Sequence, residues 1–214
     1  MFLLIMPLSG CATVYHVRVN GYLDATSTKI FIASGASFFV NIDKDVKNPI
    51  FENEIKSKIE NLLTQKGYSI GSYEKAEFFL EFVYSMSAGR LAAEVTPVYH
   101  SGGIDRVRTY ASDGNQSVSY IEYPGYTAYI PHKFTVYTAS LTLEVLDAVL
   151  ERNSAQKKKL WIGEASNTSE NPDIRGAINY LLVAAFDHFG ENTHISVTAD
   201  VSGDNPRLKE LLAR

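Results

Sequence analysis

The chain has 214 residues, 45% hydrophobic and 21% charged, which is enough apolar material for one sizeable core. Twenty Lys and Arg stand against 24 Asp and Glu, and a formal charge of −4 excludes the basic surface that a nucleic-acid partner requires. The single cysteine excludes an intrachain disulfide, and beyond the N-terminus no apolar run approaches the roughly 20 residues of a spanning helix.

The chain opens MFLLIMPLSGCATVY. Phe2–Met6 is wholly apolar, and Leu8-Ser9-Gly10 puts small residues directly before Cys11, the one thiol. Leu-Ser-Gly-Cys resembles a bacterial lipobox. That resemblance implies a signal peptide at 1–10, cleavage between Gly10 and Cys11, and diacylglycerol and N-acyl chains on Cys11; no other cofactor and no metal is expected. Acylated, Cys11 is lost as a nucleophile. No Lys or Arg precedes the apolar run, so the expectation includes a signal that starts further upstream. The competing reading of these residues is a buried first strand with a core cysteine.

Val14–Asn20 alternates Tyr15, Val17 and Val19 against His16, Arg18 and Asn20, which predicts a half-buried strand. KIFIAS (29–34) reads as a second strand, and 35–47 as a connection containing the extended piece SFFVNI. Asp43, Asp45 and Asn48 lack the glycine and distal glutamate of a calcium loop, so they read as a helix-capping loop. Asn48-Pro49 opens a helix whose stripe is Phe51, Ile55, Ile59 and Leu62, with Lys56, Lys58 and Lys66 on its outside and Gly67 at its end. A strand follows, with Phe78, Leu80, Phe82, Tyr84 and Met86 on one face and Glu77, Phe79, Glu81 and Val83 on the other.

The segment from about 85 to 133 differs in character. It holds the turn signals SAG, SGG, SDG and YPG, and eight of the 13 tyrosines fall within 84–137. It reads as a tyrosine-rich β-hairpin or flap inserted between two core strands. Tyr137–Val145 then alternates with period two, ERNSAQKKK (151–159) is a polar connection, and LWIGEAS (160–166) is the returning hairpin partner. Asn171-Pro172 starts a second helix with Ile174, Ile178, Leu181, Ala185 and Phe189 on its stripe, ended by Gly190. HISVTAD (194–200) is a strand, and 201–214 is a C-terminal tail with a short helix from Pro206. The predicted fold is α+β. A single domain over 11–200 has an antiparallel sheet with two helices packed on one face, plus the tyrosine-rich insert.

The order NPIFENEIKSKIENLLTQKGYSI, AEFFLEF, YTASLTLEVLDA, KLWIGEAS and an NPD-initiated helix resembles a family of bacterial lipoproteins that carry a domain of unknown function. The likeness covers roughly residues 15–190 and rests on structural motifs. It implies a fold and an envelope location, and it carries over no catalytic residue.

No GxSxG, GxxxxGK[ST], HExxH or CxxC pattern occurs, and the five histidines have no metal-ligand spacing. Lys157-Lys158-Lys159 reads as a solvated hairpin tip, with contact to anionic lipid as the alternative, and Trp161 as core. Tyr120, Tyr123, Tyr126 and Tyr129, around Pro124-Gly125, form the candidate binding surface, because tyrosine supplies contact area at low entropic cost together with a hydroxyl. Paving of a polar insert is the competing role. The expected function is non-enzymatic: a lipid-anchored envelope protein binding another protein or an envelope polymer. Its partners are the membrane through the anchor and no nucleic acid. Ala12, rather than Asp, after the cysteine favours the outer membrane, facing the periplasm. Two rival readings are an envelope hydrolase or transferase using Glu122, His132 or Asp147, and a carrier of a small apolar ligand.

Overall fold

The computed structural model describes residues 14–24, 32–42, 48–110, 112–154 and 156–213. The lipobox with Gly10 and Cys11, the Asp43 and Asp45 loop and the first residues of KIFIAS lie outside them. The described chain is α+β and divides into two compact units: Gly89–Val136 is one, and the residues before and after it form the other.

In the larger unit one sheet runs in the order β10-β1-β9-β8-β4-β2-β3. Its strands are β1 (Val14–Leu23), β2 (Ser37–Val40), β3 (Ser69–Ile70), β4 (Phe78–Met86), β8 (Tyr126–Asp147, from its residue 137 onward), β9 (Lys159–Ser169) and β10 (Val197–Ser202). Three helices pack into its main core: α1 (Pro49–Gln65), α3 (Ile174–Asp187) and α4 (Pro206–Leu212). The Asn48 side chain accepts the Phe51 N–H at 3.1 Å to start α1, and the Asp173 carboxylate accepts the Arg175 N–H at 3.0 Å, so α3 starts after Asp173 and not at Asn171-Pro172 as expected. Ile55, Ile59 and Leu62 of α1 join Phe78, Leu80 and Phe82 of β4 in one buried cluster, which also holds Ile178, Leu181, Leu182 and Phe186 of α3. Leu208 and Leu211 of α4 and Val201 of β10 are buried there too, so the residues after 200 belong to the core.

Trp161 is 1% exposed and donates its indole N–H to the Glu191 carbonyl at 2.8 Å. Its ring lies against Gly163, where a Cβ would collide with it.

Further expectations are corrected. The sheet is mixed, because β2 pairs parallel with both β3 and β4. Parallel neighbours need a crossover, and α1 supplies the one between β2 and β3. The described end of KIFIAS, Ile32–Ser34, is not strand: Gly35 takes φ +85° and donates its N–H to the Gly67 carbonyl, which ties this stretch to the end of α1. Part of the supposed polar connection is helix α2 (Ala148–Ser154), capped by Asp147 Oδ1 on the N–H groups of Val149 and Leu150. This helix packs on β4 with Ala76, Phe79, Leu146 and Ala148, a second buried cluster served by the residues that alternate away from the main core. Finally, Lys58, read as outer cover, is 4% exposed.

The smaller unit is a two-stranded ribbon. Strand β5 (Arg90–His100) pairs antiparallel with residues 126–136 of β8, and β6 (Gly103–Tyr110) pairs with β7 (Gln116–Tyr123). Register is unchanged between the two ladders: His100 opposes Tyr126, and Gly103 opposes Tyr123. The ladder is interrupted between them, where Pro124 has no N–H to give and a Cβ on Gly102 would strike the Tyr123 carbonyl. The turn at the far end has Gly114 at φ +83° and Asp113 Oδ1 accepting the Asn115 N–H at 3.1 Å.

Candidate functional site

The ribbon has no core. Every described residue from 99 to 127 is exposed. Tyr120, Tyr123, Tyr126 and Tyr129 are 68%, 50%, 62% and 69% exposed. Leu91, Val95, Tyr99, Ile104, Tyr110, Ile121 and Ile130 are exposed with them.

Strand alternation divides the four tyrosines. On β7, Tyr120 opposes Arg106 and Tyr123 opposes Gly103, and their odd spacing sends them to opposite faces. On β8, Tyr126 opposes His100 and stacks on it at 4.8 Å between centroids, whereas Tyr129 opposes Pro97 on the other face. Tyr99 lies across Gly125, where a Cβ would meet its hydroxyl. The four do not form one patch, and each ladder presents tyrosine on both sides.

The residues suggested for a hydrolase or transferase fall on three different strand pairs. Glu122 opposes Ile104, His132 opposes Glu94, and Asp147 opposes Phe78 with its carboxylate engaged as the α2 cap. Among the described residues no group of three His, Cys, Asp or Glu side chains is placed to hold a metal ion. His16 pairs with Asp200 at 2.6 Å and His188 with Glu191 at 3.0 Å. All three lysines of the 157–159 run meet carboxylates: Lys157 on Glu81 at 2.7 Å, Lys158 near Asp24 at 3.8 Å and Lys159 on Glu144 at 2.6 Å.

Two polar clusters in the larger unit escaped sequence reading. In the first, Lys58 donates to Glu54 at 2.7 Å and to Asn179 at 2.8 Å, and Arg175 donates to the other Glu54 oxygen at 2.7 Å. The hydrogen bond from Lys58 is the main reason the Glu54 carboxyl lies below the ordinary carboxylate range; burial opposes it and Arg175 adds to it. A groove of about 440 Å³ runs over these residues, lined also by Asp173, Gly176, Leu211 and Leu212. The (i, i+4) spacing of Glu54 and Lys58 was a visible signal, but the partner on α3 was not.

The second cluster sets Glu81 directly across the ladder from Glu144, an unfavourable like-charge pair relieved by Lys157 and Lys159. Glu151 lies close by with Oε2 buried and without a hydrogen bond. Burial, then the Glu81 charge, raises the Glu151 pKa.

No family model and no curated protein matches the chain. Among solved structures it is similar to a PDZ domain protein from Parabacteroides distasonis, at 15% identity and a TM-score of 0.46. That match covers 90% of this chain, which spans only 40% of the other. It is also similar to the PelC dodecamer from Paraburkholderia phytofirmans, at 12% identity and a TM-score of 0.35, over 77% of this chain and 94% of that one. A point variant of the same PelC gives 12% and 0.37, over 79% and 93%.

Proposed function

We propose that this chain is a lipid-anchored protein of the bacterial cell envelope that binds another protein or an envelope polymer through its tyrosine-rich ribbon, without catalysing a reaction. The observation that carries the reading is a whole compact unit, Gly89–Val136, made of two-stranded ladder with its large apolar side chains in water. Isolated two-stranded ribbons are at best marginally stable, so a partner surface is the natural completion of this one. In this reading α1 and α3 cover one face of the sheet and the ribbon is an insert between two of its strands. The anchor is Cys11, on the strength of Leu8-Ser9-Gly10-Cys11 and the small residues before the thiol. The acyl chains would hold the protein at the membrane, adding about 0.8 kcal/mol per buried CH₂. Ala12 after the cysteine favours the outer membrane, facing the periplasm, and the few residues between Cys11 and Val14 hold the domain close to the lipid.

Two experiments separate the halves of this reading. Cys11→Ser should release the protein from membranes and abolish palmitate labelling; retention without label refutes the anchor. A photoreactive residue at Tyr123 or Tyr126 should give one dominant adduct in cells, and a smear of unrelated adducts counts against binding through the ribbon.

A further inference from the structure

The ribbon has four strand edges, and their protection is unequal. Strand β5 carries Pro97 and β8 carries Pro131, at positions of the same ladder parity (Pro97 opposite Tyr129, Pro131 opposite Val95). Proline has no N–H and persists in a ladder only where that group would point outward, so each of these edges is blocked to an incoming strand. Strand β6, GIDRVRTY, carries Asp105, Arg106 and Arg108, the charges that natural sheets place on edges to discourage pairing. Strand β7, QSVSYIEY, has no proline and one charge, Glu122. Among the described residues it pairs with β6 alone, which leaves its other edge open over eight residues.

We propose that the open edge of β7 pairs antiparallel with β7 of a second copy of this chain, about a two-fold axis at Ser119, giving a four-stranded sheet with β6 strands outermost. This names the partner of the ribbon proposed above as a binding element and rests on that reading; it does not depend on the anchor.

The sequence pattern selects this pairing. A two-fold axis perpendicular to the sheet preserves its faces, so only residues of equal parity can oppose each other. For β6 every central register then fails: an axis at Asp105, Arg106 or Arg108 sets that charge against itself, and an axis at Val107 sets Arg106 against Arg108 twice. For β7 an axis at Ser119 sets Ser119 against its copy, Val118 against Tyr120, Ser117 against Ile121, and the Gln116 amide against the Glu122 carboxylate. Val118 against Tyr120 is an aromatic on β-branched pair, Ser119 against its copy and Gln116 against Glu122 can hydrogen-bond, Ser117 against Ile121 is a neutral pair, and no like charges meet. Shifting the axis to Tyr120 would set Val118 against Glu122 and lose the amide–carboxylate pair. The ribbon also balances its charge, with Arg90, Arg106, Arg108 and Lys133 against Glu94, Asp105, Asp113 and Glu122, so the net charge of −4 sits outside it. Two ribbons therefore approach without the repulsion that opposes contact elsewhere on the molecule.

The test uses the full chain with Cys11→Ser, which removes the one native thiol. Opposed Cα atoms in an antiparallel ladder are about 4.5–5.5 Å apart, within disulfide reach, so adding Ser119→Cys should give a rapid disulfide dimer on mild oxidation, while adding Arg106→Cys on the guarded edge should not. In sedimentation, Ser119→Lys and Ser119→Glu should each weaken self-association by about tenfold or more, and an equimolar mixture should restore it. Mixing could not rescue a ribbon that had simply come apart. The proposal is overturned if the Cys11→Ser chain is monomeric at about 100 μM, if Arg106→Cys crosslinks as readily as Ser119→Cys, or if the mixture stays dissociated. A monomer that still gives a single photo-adduct with a different protein at Tyr123 retains the binding reading and removes self-pairing; a monomer with no specific adduct removes both.

Discussion

Lys58 offers the sharpest test of the packing between α1 and α3. Its ammonium group is buried, 2.7 Å from Glu54 and 2.8 Å from Asn179, and Glu54 is shared with the exposed Arg175. Glu54→Gln leaves the buried charge with amide partners only. Stripping one partner from a fully buried ion pair costs about 3–5 kcal/mol. The Glu54 side chain is 22% exposed, so water screens part of the loss and about 2–3 kcal/mol is expected. Lys58→Met removes the charge and keeps the apolar stem. It orphans the Asn179 carbonyl oxygen, and Glu54 retains Arg175, so about 1 kcal/mol is expected. The double variant should then match Lys58→Met.

Urea titration read by the fluorescence of Trp161, the only tryptophan and 1% exposed, gives these differences directly. The pH dependence follows from the lowered Glu54 pKa. The folded state binds the Glu54 proton less readily than the unfolded chain, so the contribution is complete above about pH 4.5 and is lost as the pH falls towards the folded value. The gap between wild type and Glu54→Gln should therefore narrow below that pH. A Glu54→Gln variant no less stable than Lys58→Met at pH 7, or a gap that does not change on acidification, refutes the reasoning.

Three further outcomes are expected. Gly163→Ala places a methyl group in the Trp161 ring, and with the indole fixed by its bond to Glu191 the cost should exceed about 2 kcal/mol in the same urea titration; a neutral result would mean that the ring is free to retreat. Glu151 has a raised folded pKa, so its ionisation opposes folding as the pH rises through and beyond the ordinary carboxylate value. Glu151→Gln should stabilise at pH 7, by less than about 1 kcal/mol given its partial exposure, and have no effect near pH 4, as thermal melts at the two pH values would reveal. Replacing Gly89–Val136 with Asn-Gly should leave a cooperatively folded unit within about 1 kcal/mol of the parent. The main core draws on the larger unit alone, and Ser87 and Thr138 are already bonded across the gap; a broad, shifted Trp161 transition would contradict this.

How much could be read from the chain follows the range of the interactions involved. Period-two alternation marked β1 and the core part of β8, because a strand with one buried face writes its orientation into neighbouring residues. Asn48-Pro49 and the stripe from Phe51 to Leu62 marked α1 for the same local reason. Turn signals and tyrosine density set the segment from about 85 to 133 apart in composition, and the three-residue spacing from Tyr120 to Tyr123 implies opposite faces of a strand. Even the contrast between β6 and β7 is present in their composition, although only the ladder shows which strands are edges.

Other features needed the tertiary structure because they depend on residues far apart in sequence. Parallel pairing of β2 with β3 and β4 depends on where α1 returns the chain, and nothing within SFFV encodes that. Lys58 is buried because Asn179, 121 residues later, supplies the acceptor that lets an ammonium group leave water. Helix α2 forms over Phe79 because β4 buries both of its faces, and a polar run such as ERNS becomes helical only once Asp147 caps it and Arg152 finds the carbonyls of Tyr73 and Ala76. By itself the sequence determined the strands with one buried face, the helix that opens at Asn48-Pro49 and which residue is the candidate for lipid, since those depend on neighbours a few positions away. Tertiary structure alone decided which side chains share a surface and which strand edge stays open, because closing a long loop sets partners that no local pattern contains.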